Sequence, residues 1–280
     1  MSGIKERAKK VAEGNAFLFF LWRCLRVLKH CTEIAADLMR KRDKYCIICG
    51  HKVGRFAPLL KTEDLPEVSR KYHIIGGVLS ENCVCPYCRE WDRHRWQYYV
   101  LKNYSGILEA GECSVLHFAP EKSNSDLIRQ NRKCKYITAD IEEGRGDIVA
   151  DMTNLNMFGD DTFDYIIANH VIDDIADEAK AISELKRVLK NDGTIILSFP
   201  ICTDITTTYE DTSLATEEEK WEILGDRHSV RLYGTDYKER LESYGLNVKT
   251  YSPQNELTDE EITRYGFIPD DVSVFCTLKH

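Results

Sequence analysis

Short apolar runs alternate with helical patterns from residue 113 onward. Runs of strand length stand at Ser114–Phe118, Tyr136–Thr138, Asp147–Ala150, Phe163–Ala168, Thr194–Phe199, Asn247–Thr250 and Val272–Leu278. Amphipathic helical patterns lie between them at Ser125–Asn131, Glu178–Leu189 and Asp236–Tyr244. Strands that alternate with helices need crossover connections, which predicts a doubly wound α/β fold with a mostly parallel sheet. The last run is expected to return antiparallel.

The front of the chain shows a different pattern. Residues 4–42 contain no proline, and Phe17, Leu21, Leu25 and Leu28 recur at helical spacing. We therefore predict amphipathic N-terminal helices within a segment of residues 1–44. One interpretation packs this segment on the rest of the chain or on a second subunit. The other interpretation is a peripheral contact with an anionic membrane surface, because Lys and Arg flank a Phe/Leu/Trp cluster.

Composition and charge restrict the class of protein. The chain has 280 residues, 43% of them apolar and 30% charged, which indicates a soluble globular protein with one large domain and a small appendage. The net charge of −8 argues against a general nucleic-acid binder. That charge is uneven, since residues 1–44 hold eleven Lys and Arg against five acids, a net +6. Nucleic acid is not expected as a partner, and a basic surface is expected only at the front.

The number and positions of the cysteines indicate their redox state and the cellular compartment. Eleven cysteines are an odd number, and five of them lie between residues 46 and 88. The apolar run Phe17–Trp22 is too short for a signal peptide or a membrane span. We expect a cytoplasmic protein with reduced thiols and a metal site rather than a disulfide scaffold.

Two C-x2-C pairs carry the metal prediction. Cys46 and Cys49 form one pair, and Cys85 and Cys88 form the other, 35 residues further on. Two such knuckles supply the four thiolates that structural Zn2+ takes, and Gly50 suits the turn after the first pair. Residues 45–100 are therefore predicted to be a zinc ribbon in which the ion stabilises the fold and performs no chemistry. Cys83 is expected to be a bystander.

A basic and aromatic cluster follows the second knuckle, from Arg89 to Arg95 with Trp96 beside it. Such a cluster next to a zinc ribbon is able to contact RNA by stacking and phosphate pairing. The alternative is the start of a helix that docks the ribbon on the main domain, with Trp91 and Trp96 as packing residues.

The ends of the predicted strands indicate a ligand. A dinucleotide fold places G-x-G-x-x-G after its first strand, but no glycine stands between residues 112 and 143. Asp140 ends the second strand, where an acid commonly binds ribose hydroxyls. Asp151 and Met152 follow the third strand and are placed to hold an adenine edge. A ribose and adenine pocket without a phosphate cradle points to S-adenosylmethionine.

Motifs in this region resemble those of class I S-adenosylmethionine-dependent methyltransferases of the type-11 group. The matching segments are Asp161–Asp164, His170–Asp174 and Leu185–Gly193. More narrowly, the chain resembles a subgroup with an N-terminal zinc ribbon through Cys46–Gly50, Cys85–Arg95, Leu116–Glu121, Thr208–Asp211 and His228–Tyr237. The class I resemblance runs from Ser114 to about Thr250 and implies a Rossmann-like methyltransferase fold. We predict that this domain spans residues 101–280. Asp173 and Asp174 depart from the resemblance, since the group usually has Glu and His there.

The resemblance also implies roles for individual residues. Phe118, Ala119 and Glu121 would surround the methionine moiety of the cofactor. In the same comparison Asp140 would bind the ribose and Asp151 and Met152 the adenine, while Asn169 and His170 would line the side of the methyl group.

Methyl transfer to a hydroxyl or amine needs a base near neutral pH. The candidates are His228 and His170, with Asp211 or Glu210 to orient or replace them, and Arg231 is a candidate for holding an anionic acceptor. The leading hypothesis is O-methylation of a small-molecule or saccharide-linked acceptor. An RNA methyltransferase with a zinc ribbon and an inactive binding module of the same fold are the alternatives.

Overall fold

The computed structural model describes residues 16–78 and 82–279. Its helices are α1 (Ala16–Leu38), α2 (Glu67–Lys71), α3 (Asp92–Tyr104), α4 (Lys122–Ile128), α5 (Glu178–Val188), α6 (Glu217–Leu224), α7 (Tyr237–Ser243), α8 (Pro253–Glu256) and α9 (Asp259–Tyr265), with 3-10 turns at Thr62–Asp64 and Ile172–Asp174. Its strands are β1 (Lys44–Tyr45), β2 (Lys52–Val53), β3 (Ile74–Ile75), β4 (Cys113–Phe118), β5 (Cys134–Asp140), β6 (Ile148–Val149), β7 (Phe163–Asn169), β8 (Leu189–Ser198), β9 (Ile201–Cys202), β10 (Tyr209–Glu210), β11 (Arg231–Leu232), β12 (Leu246–Tyr251) and β13 (Ser273–Leu278).

Seven of these strands form the central sheet, in the order β12-β13-β8-β7-β4-β5-β6. Strands β8, β7, β4, β5 and β6 are parallel, whereas β13 pairs antiparallel with both β8 and β12. The strand order reverses between β4 and β7, and doubly wound sheets bind their ligands at the carboxyl ends of strands at that point. The predicted α/β class and the antiparallel return are confirmed.

Alternating side chains of the strands face two separate layers of the core. Leu116, Ile166 and Ile195 point to the layer that contains Leu185 of α5. Their neighbours in sequence, such as Ile167, point to the opposite layer, where Trp96 of α3 lies. This period of two is what a sheet covered by helices on both faces requires.

The boundaries differ from the predicted ones where polar residues are buried. Helix α4 begins at Lys122, three residues before the predicted start, because Ser123 and Asn124 are buried in its first turn and hide the apolar period. Strand β6 has two residues instead of the predicted four, because it pairs with β5 only at Ala139 and Asp140.

The region before the sheet is joined to it by more than its metal knuckles. The β1–β2 hairpin closes the first knuckle, and β3 pairs antiparallel with β9, which directly follows the central strand β8. Helix α1 supplies the helical structure predicted for residues 1–44, of which residues 1–15 lie outside the described part. Among the described helices, α1 included, none has the combination of length and apolar character needed to cross a bilayer.

Candidate active site and metal centre

The four cysteines predicted to bind zinc, Cys46, Cys49, Cys85 and Cys88, form one cluster. Their Sγ atoms all lie within 4.8 Å of one another, with 3.7 Å between those of Cys46 and Cys88 and 3.8 Å between those of Cys49 and Cys85. Thiolates at the usual Zn–S distance of about 2.3 Å occupy the corners of a tetrahedron with edges of about 3.8 Å. The spacing of the sulfurs therefore fits a structural Zn2+ site with four ligands.

Both knuckles use the same backbone turn. The amides of Gly50 and Arg89 donate to the carbonyls of Cys46 and Cys85, at 2.9 and 3.0 Å. Both donors adopt a positive φ, +73° and +67° respectively. Glycine takes this conformation freely, but it is uncommon for arginine, so the second turn depends on its surroundings.

Cys83 lies outside this cluster, as expected for a bystander. It is buried, and its thiol donates to Oδ1 of Asp92 at 2.8 Å. Burial, together with the charge of Asp92, raises the pKa of the Cys83 thiol well above its usual value. A protonated thiol is a poor metal ligand, since the thiolate is the species that binds.

The cluster after the second knuckle docks the ribbon on the sheet domain. Arg95 is fully buried, lies over the ring of Phe56 and donates to the carbonyls of Cys83 on one side and of Tyr265 and Gly266 on the other. Trp96 is buried in the core. These contacts confirm the docking interpretation and leave Arg95 unable to contact RNA.

The end of β4 provides the first part of a cofactor site. Phe118 is buried, and Ala119 adopts φ +43°, the conformation that glycine usually supplies at this turn. The carboxylate of Glu121 receives hydrogen bonds from His117 Nε2 and Asn124 Nδ2, each at 3.1 Å. Burial opposes ionisation of Glu121, but the bond from His117 outweighs it and holds its pKa below the usual range. An ionised Glu121 at this position suits the ammonium group of a methionine moiety.

The ends of β5 and β6 provide the second part. Asp140 is largely buried, and one of its oxygens accepts from the amide of Glu142 at 2.8 Å. Met152 is buried, whereas Asp151 is exposed and caps the turn at Thr153. Ile141 directly follows Asp140 and is 71% exposed. An exposed apolar side chain next to Asp140 is suited to cover an adenine, and the sequence pattern carried no signal for Ile141.

The end of β7 provides the third part. Oδ1 of Asn169 accepts from Ser198 at 3.1 Å, while its Nδ2 is buried without a hydrogen-bond partner in the described parts of the chain. His170 adopts φ +52°, and its buried Nε2 also lacks a partner there. Burial and the charge of Arg93 lower the pKa of His170 well below its usual value, so its ring is neutral at pH 7.

A cavity of about 170 Å³ opens beside His170. Sheet-domain residues form one wall, and residues of the ribbon segment form the other. The polar side chains of the lining are Ser69, Arg93, His170, Asp173, Asp174, Asp226 and His228. The structure thus brings together the two predicted histidines and the two acids at which the chain departs from the type-11 pattern.

Asp173 and Asp174 give this cavity its chemistry. Ser229 Oγ lies 3.1 Å from Asp173 Oδ2 and 2.9 Å from Asp174 Oδ1. Burial, and then the charge of Asp174, raises the pKa of Asp173 to about 7. Burial raises the pKa of Asp174 to about 6, with Asp226 adding to the effect. Carboxyl groups that titrate near neutral pH are suited to general acid–base catalysis.

Two other predicted catalytic residues lie away from the cavity lining. Asp211 is partly exposed and accepts from Ser213 Oγ at 2.6 Å and Tyr209 Oη at 3.1 Å. Arg231 is 2% exposed, and its Nε donates to the carboxylate of Glu210 at 2.6 Å.

The remaining contacts of Arg231 are with the protein backbone. Its guanidinium donates to the carbonyls of Ile172 and Ala176, at 2.5 and 3.2 Å. Ile172 begins the 3-10 turn that carries Asp173 and Asp174. The arrangement makes Arg231 a residue that positions the acid pair.

The three strand ends fit S-adenosylmethionine. They offer an acid for the ribose at Asp140, an acid for the ammonium group at Glu121, and the buried polar atom Asn169 Nδ2 that still needs a partner. The topology places all three at the reversal of strand order, and the absence of glycines near Ala119 rules against a pyrophosphate.

Residues 109–197 match the family model of the methyltransferase domain, type 11. This segment is a methyltransferase domain. It extends from before β4 to the end of β8, and so contains every strand end described above. Methyltransferases of this family use S-adenosylmethionine as the methyl donor. Among curated proteins, none matches the chain.

Several solved structures are similar to the methyltransferase domain and its surroundings. A SAM-dependent methyltransferase from Archaeoglobus fulgidus is 15% identical, with 65% of this chain and 92% of that chain covered and a TM-score of 0.42. A chain of the Haloferax volcanii complex between the Trm112 methyltransferase activator and a methyltransferase is 14% identical, with 66% and 95% covered and a TM-score of 0.42. The YcgJ protein of Bacillus subtilis is 16% identical, with 65% and 99% covered and a TM-score of 0.41.

Proposed function

We propose that this protein transfers the methyl group of S-adenosylmethionine to a hydroxyl oxygen of a small-molecule or saccharide-linked acceptor. The observation that carries the proposal is the cavity beside His170, where Asp173 has a pKa of about 7. Its volume of about 170 Å³ is below the roughly 300–1,000 Å³ of most ligand pockets. It therefore suits the reacting end of an acceptor, such as one sugar ring, better than a whole oligosaccharide.

Bound S-adenosylmethionine supplies an activated methyl group, so the chain has to align the acceptor and remove its proton. We assign proton removal to the acid pair, with His228 as the neighbouring alternative. The neutral His170 would hydrogen-bond the acceptor through Nε2, and Arg231 would hold the turn of the acid pair in place. Asp211 is left as a surface residue in this scheme.

The charge of the cavity favours a neutral acceptor. Asp173, Asp174 and Asp226 line it, with Arg93 as the cation opposite them. A phosphate-bearing acceptor would meet like charges in a partly desolvated space, which is unfavourable. This supports a hydroxyl compound over RNA, in agreement with the acidic balance outside residues 1–44.

Calorimetry tests the proposal. S-adenosylhomocysteine is expected to bind the native chain and to bind Asp140→Ala at least about tenfold more weakly, since a charge-assisted hydrogen bond is worth roughly 1.5–3 kcal/mol. The control is Asp126→Asn, which replaces an exposed acid on α4 and should bind like the native chain.

A transfer assay tests the acceptor. Radiolabelled S-adenosylmethionine with a panel of neutral glycosides should give methyl transfer, and Asp173→Asn should abolish this transfer while cofactor binding persists. Absence of cofactor binding by the native chain would refute the proposal, whereas binding without transfer to any acceptor would favour an inactive binding module.

For residues 1–44 we propose a peripheral contact with a membrane surface or a second subunit. The support is the basic charge of the segment and the helical form of α1.

A further inference from the structure

Helix α1 turns its polar side toward the protein and its apolar side outward. Asp37 is buried and accepts from the amides of Gly54 and Arg55, at 2.9 and 3.0 Å. Glu33 pairs with Arg89 of the second knuckle at 2.5 Å. The outward side carries large apolar side chains, each more than 40% exposed: Phe20, Leu21, Leu25, Val27 and Leu28. Among residues 16–78 and 82–279, therefore, these five side chains are not packed on the rest of the chain, which was one of the predicted arrangements.

An apolar stripe of this size needs a partner. The five side chains recur at helical spacing over more than two turns, so they form one continuous surface rather than scattered contacts. Contiguous exposed apolar surface on an otherwise folded protein marks an interaction site. The polar anchors at Glu33 and Asp37 fix which side of the helix is outward.

Charge identifies the partner. Arg23 and Lys29 border the stripe, Arg26 lies on the opposite side of the helix, and Arg40, Lys41 and Arg42 continue the basic character past the end of the helix. All six are exposed. A second copy of α1 against this side would bring two sets of like charges together, whereas acidic lipid headgroups would neutralise them. Lys and Arg at the edge of an apolar stripe can also extend toward the headgroups while their stems cover apolar surface.

We propose that α1 lies in the plane of an anionic lipid bilayer, with the Phe20–Leu28 stripe in the acyl boundary and the basic residues among the headgroups. The inference rests on the proposed peripheral contact of residues 1–44 and is independent of methyl transfer. It selects a membrane surface over a second subunit as the partner of residues 1–44. Helix α1, with 23 residues and a length of about 34 Å, would lie on the membrane rather than across it.

Vesicle flotation of the full chain tests the proposal. Binding is expected to vesicles of phosphatidylcholine mixed with phosphatidylglycerol, and to fall with added salt because screening weakens the headgroup attraction. Vesicles of phosphatidylcholine alone should retain at least about tenfold less protein. The double variant Leu25→Glu, Leu28→Glu should lose binding to the mixed vesicles by at least about tenfold. Both residues are exposed, so the variant should fold normally.

Met157→Glu is the matched control, because it replaces an equally exposed apolar residue far from α1 in sequence and should bind like the native chain. Equal binding of the double variant, or no binding of the native chain to mixed vesicles, would overturn the proposal. A native dimer by light scattering that the double variant converts to a monomer would overturn it in favour of a second copy. S-adenosylhomocysteine binding in the same samples should be unchanged, which separates failure of this inference from failure of the proposed function.

Discussion

At the scale of single residues, burial raises the pKa values of the acid pair, and few hydrogen-bond donors are present to offset it. The hydroxyl of Ser229 has one hydrogen and lies within bonding distance of both Asp173 and Asp174. Asp173 Oδ1 is buried and has no hydrogen-bond partner among the described residues. Two ionised carboxylates in this place would be underpaired as well as mutually repelled, so a proton on the pair is favourable. Because the carboxylates are underpaired, the pair can accept a proton near neutral pH.

This arrangement predicts a dependence of stability on pH. An unfolded Asp ionises near pH 3.9, whereas folded Asp173 ionises near 7. Between these values the folded chain binds more protons than the unfolded one, so stability contributed by the protonated pair is lost as the pH rises through this window. The unfolding free energy of the native chain, measured in urea, should be lower at pH 8 than at pH 5. In Asp173→Asn this difference should be smaller by on the order of 2 kcal/mol.

Asp211→Asn is the control for that measurement. Asp211 is partly exposed, and hydrogen bonds from Ser213 lower its pKa. The Asp211→Asn variant should therefore lose as much unfolding free energy between pH 5 and pH 8 as the native chain. An equal fall in the native chain and in Asp173→Asn would show that Asp173 does not titrate between pH 5 and pH 8.

The sequence identified residues whose role depends on local position and missed those that depend on long-range contact. Asp140 was predicted because it ends an apolar run, and it ends β5. Asp226 lies 53 residues beyond Asp173, and only the folded chain shows that it shares the cavity. Arg231 was interpreted as an acceptor-binding group, because its buried backbone contacts with Ile172 and Ala176 leave no mark in the sequence.

At the scale of elements, the periodic strands were predicted best. The strands β4 and β7 begin and end within one residue of the predicted runs, because they are buried on both faces and read as continuous apolar segments. The pairing of β3 with β9 was not predicted, since two-residue strands carry no periodicity. That pairing makes the ribbon segment a wall of the cavity, beyond the purely structural role expected of it.

The zinc knuckles give a prediction that compares two buried cysteines. Cys85→Ser should lose bound zinc, because an alcohol does not replace a thiolate ligand, and its unfolding midpoint in urea should fall. Cys83→Ser should keep one zinc per chain, since Cys83 bonds to Asp92 and lies outside the cluster. Metal content by mass spectrometry and urea unfolding measure both. Zinc loss in both variants would show that Cys83 takes part in the site, and stoichiometric zinc in Cys85→Ser would refute the ligand set.

At the scale of the whole molecule, the ribbon and the sheet domain are joined by polar contacts, those of Arg95 buried and that of His73 exposed. Arg95 donates to backbone carbonyls of both, at 2.8 Å to Cys83 and 2.8 Å to Gly266. His73 of the ribbon segment pairs with Asp270 at 2.7 Å. Helix α3 runs through the boundary predicted at residue 100. Breaking the two parts apart would leave the carbonyl partners of Arg95 and its charge unsatisfied, which is costly.

We therefore predict that both parts unfold together and that a ligand of one stabilises the other. S-adenosylhomocysteine at 100 times its Kd adds about 2.7 kcal/mol to the folded state if the transition is shared. The urea midpoint for zinc release, followed with a colorimetric chelator, should then move by the same amount as the midpoint followed by circular dichroism. In Arg95→Met the two midpoints should separate, because the link between the carbonyls of Cys83 and Gly266 is gone. Release of zinc from the native chain at a lower urea concentration, unaffected by S-adenosylhomocysteine, would show instead that residues 45–100 form an independent folding unit.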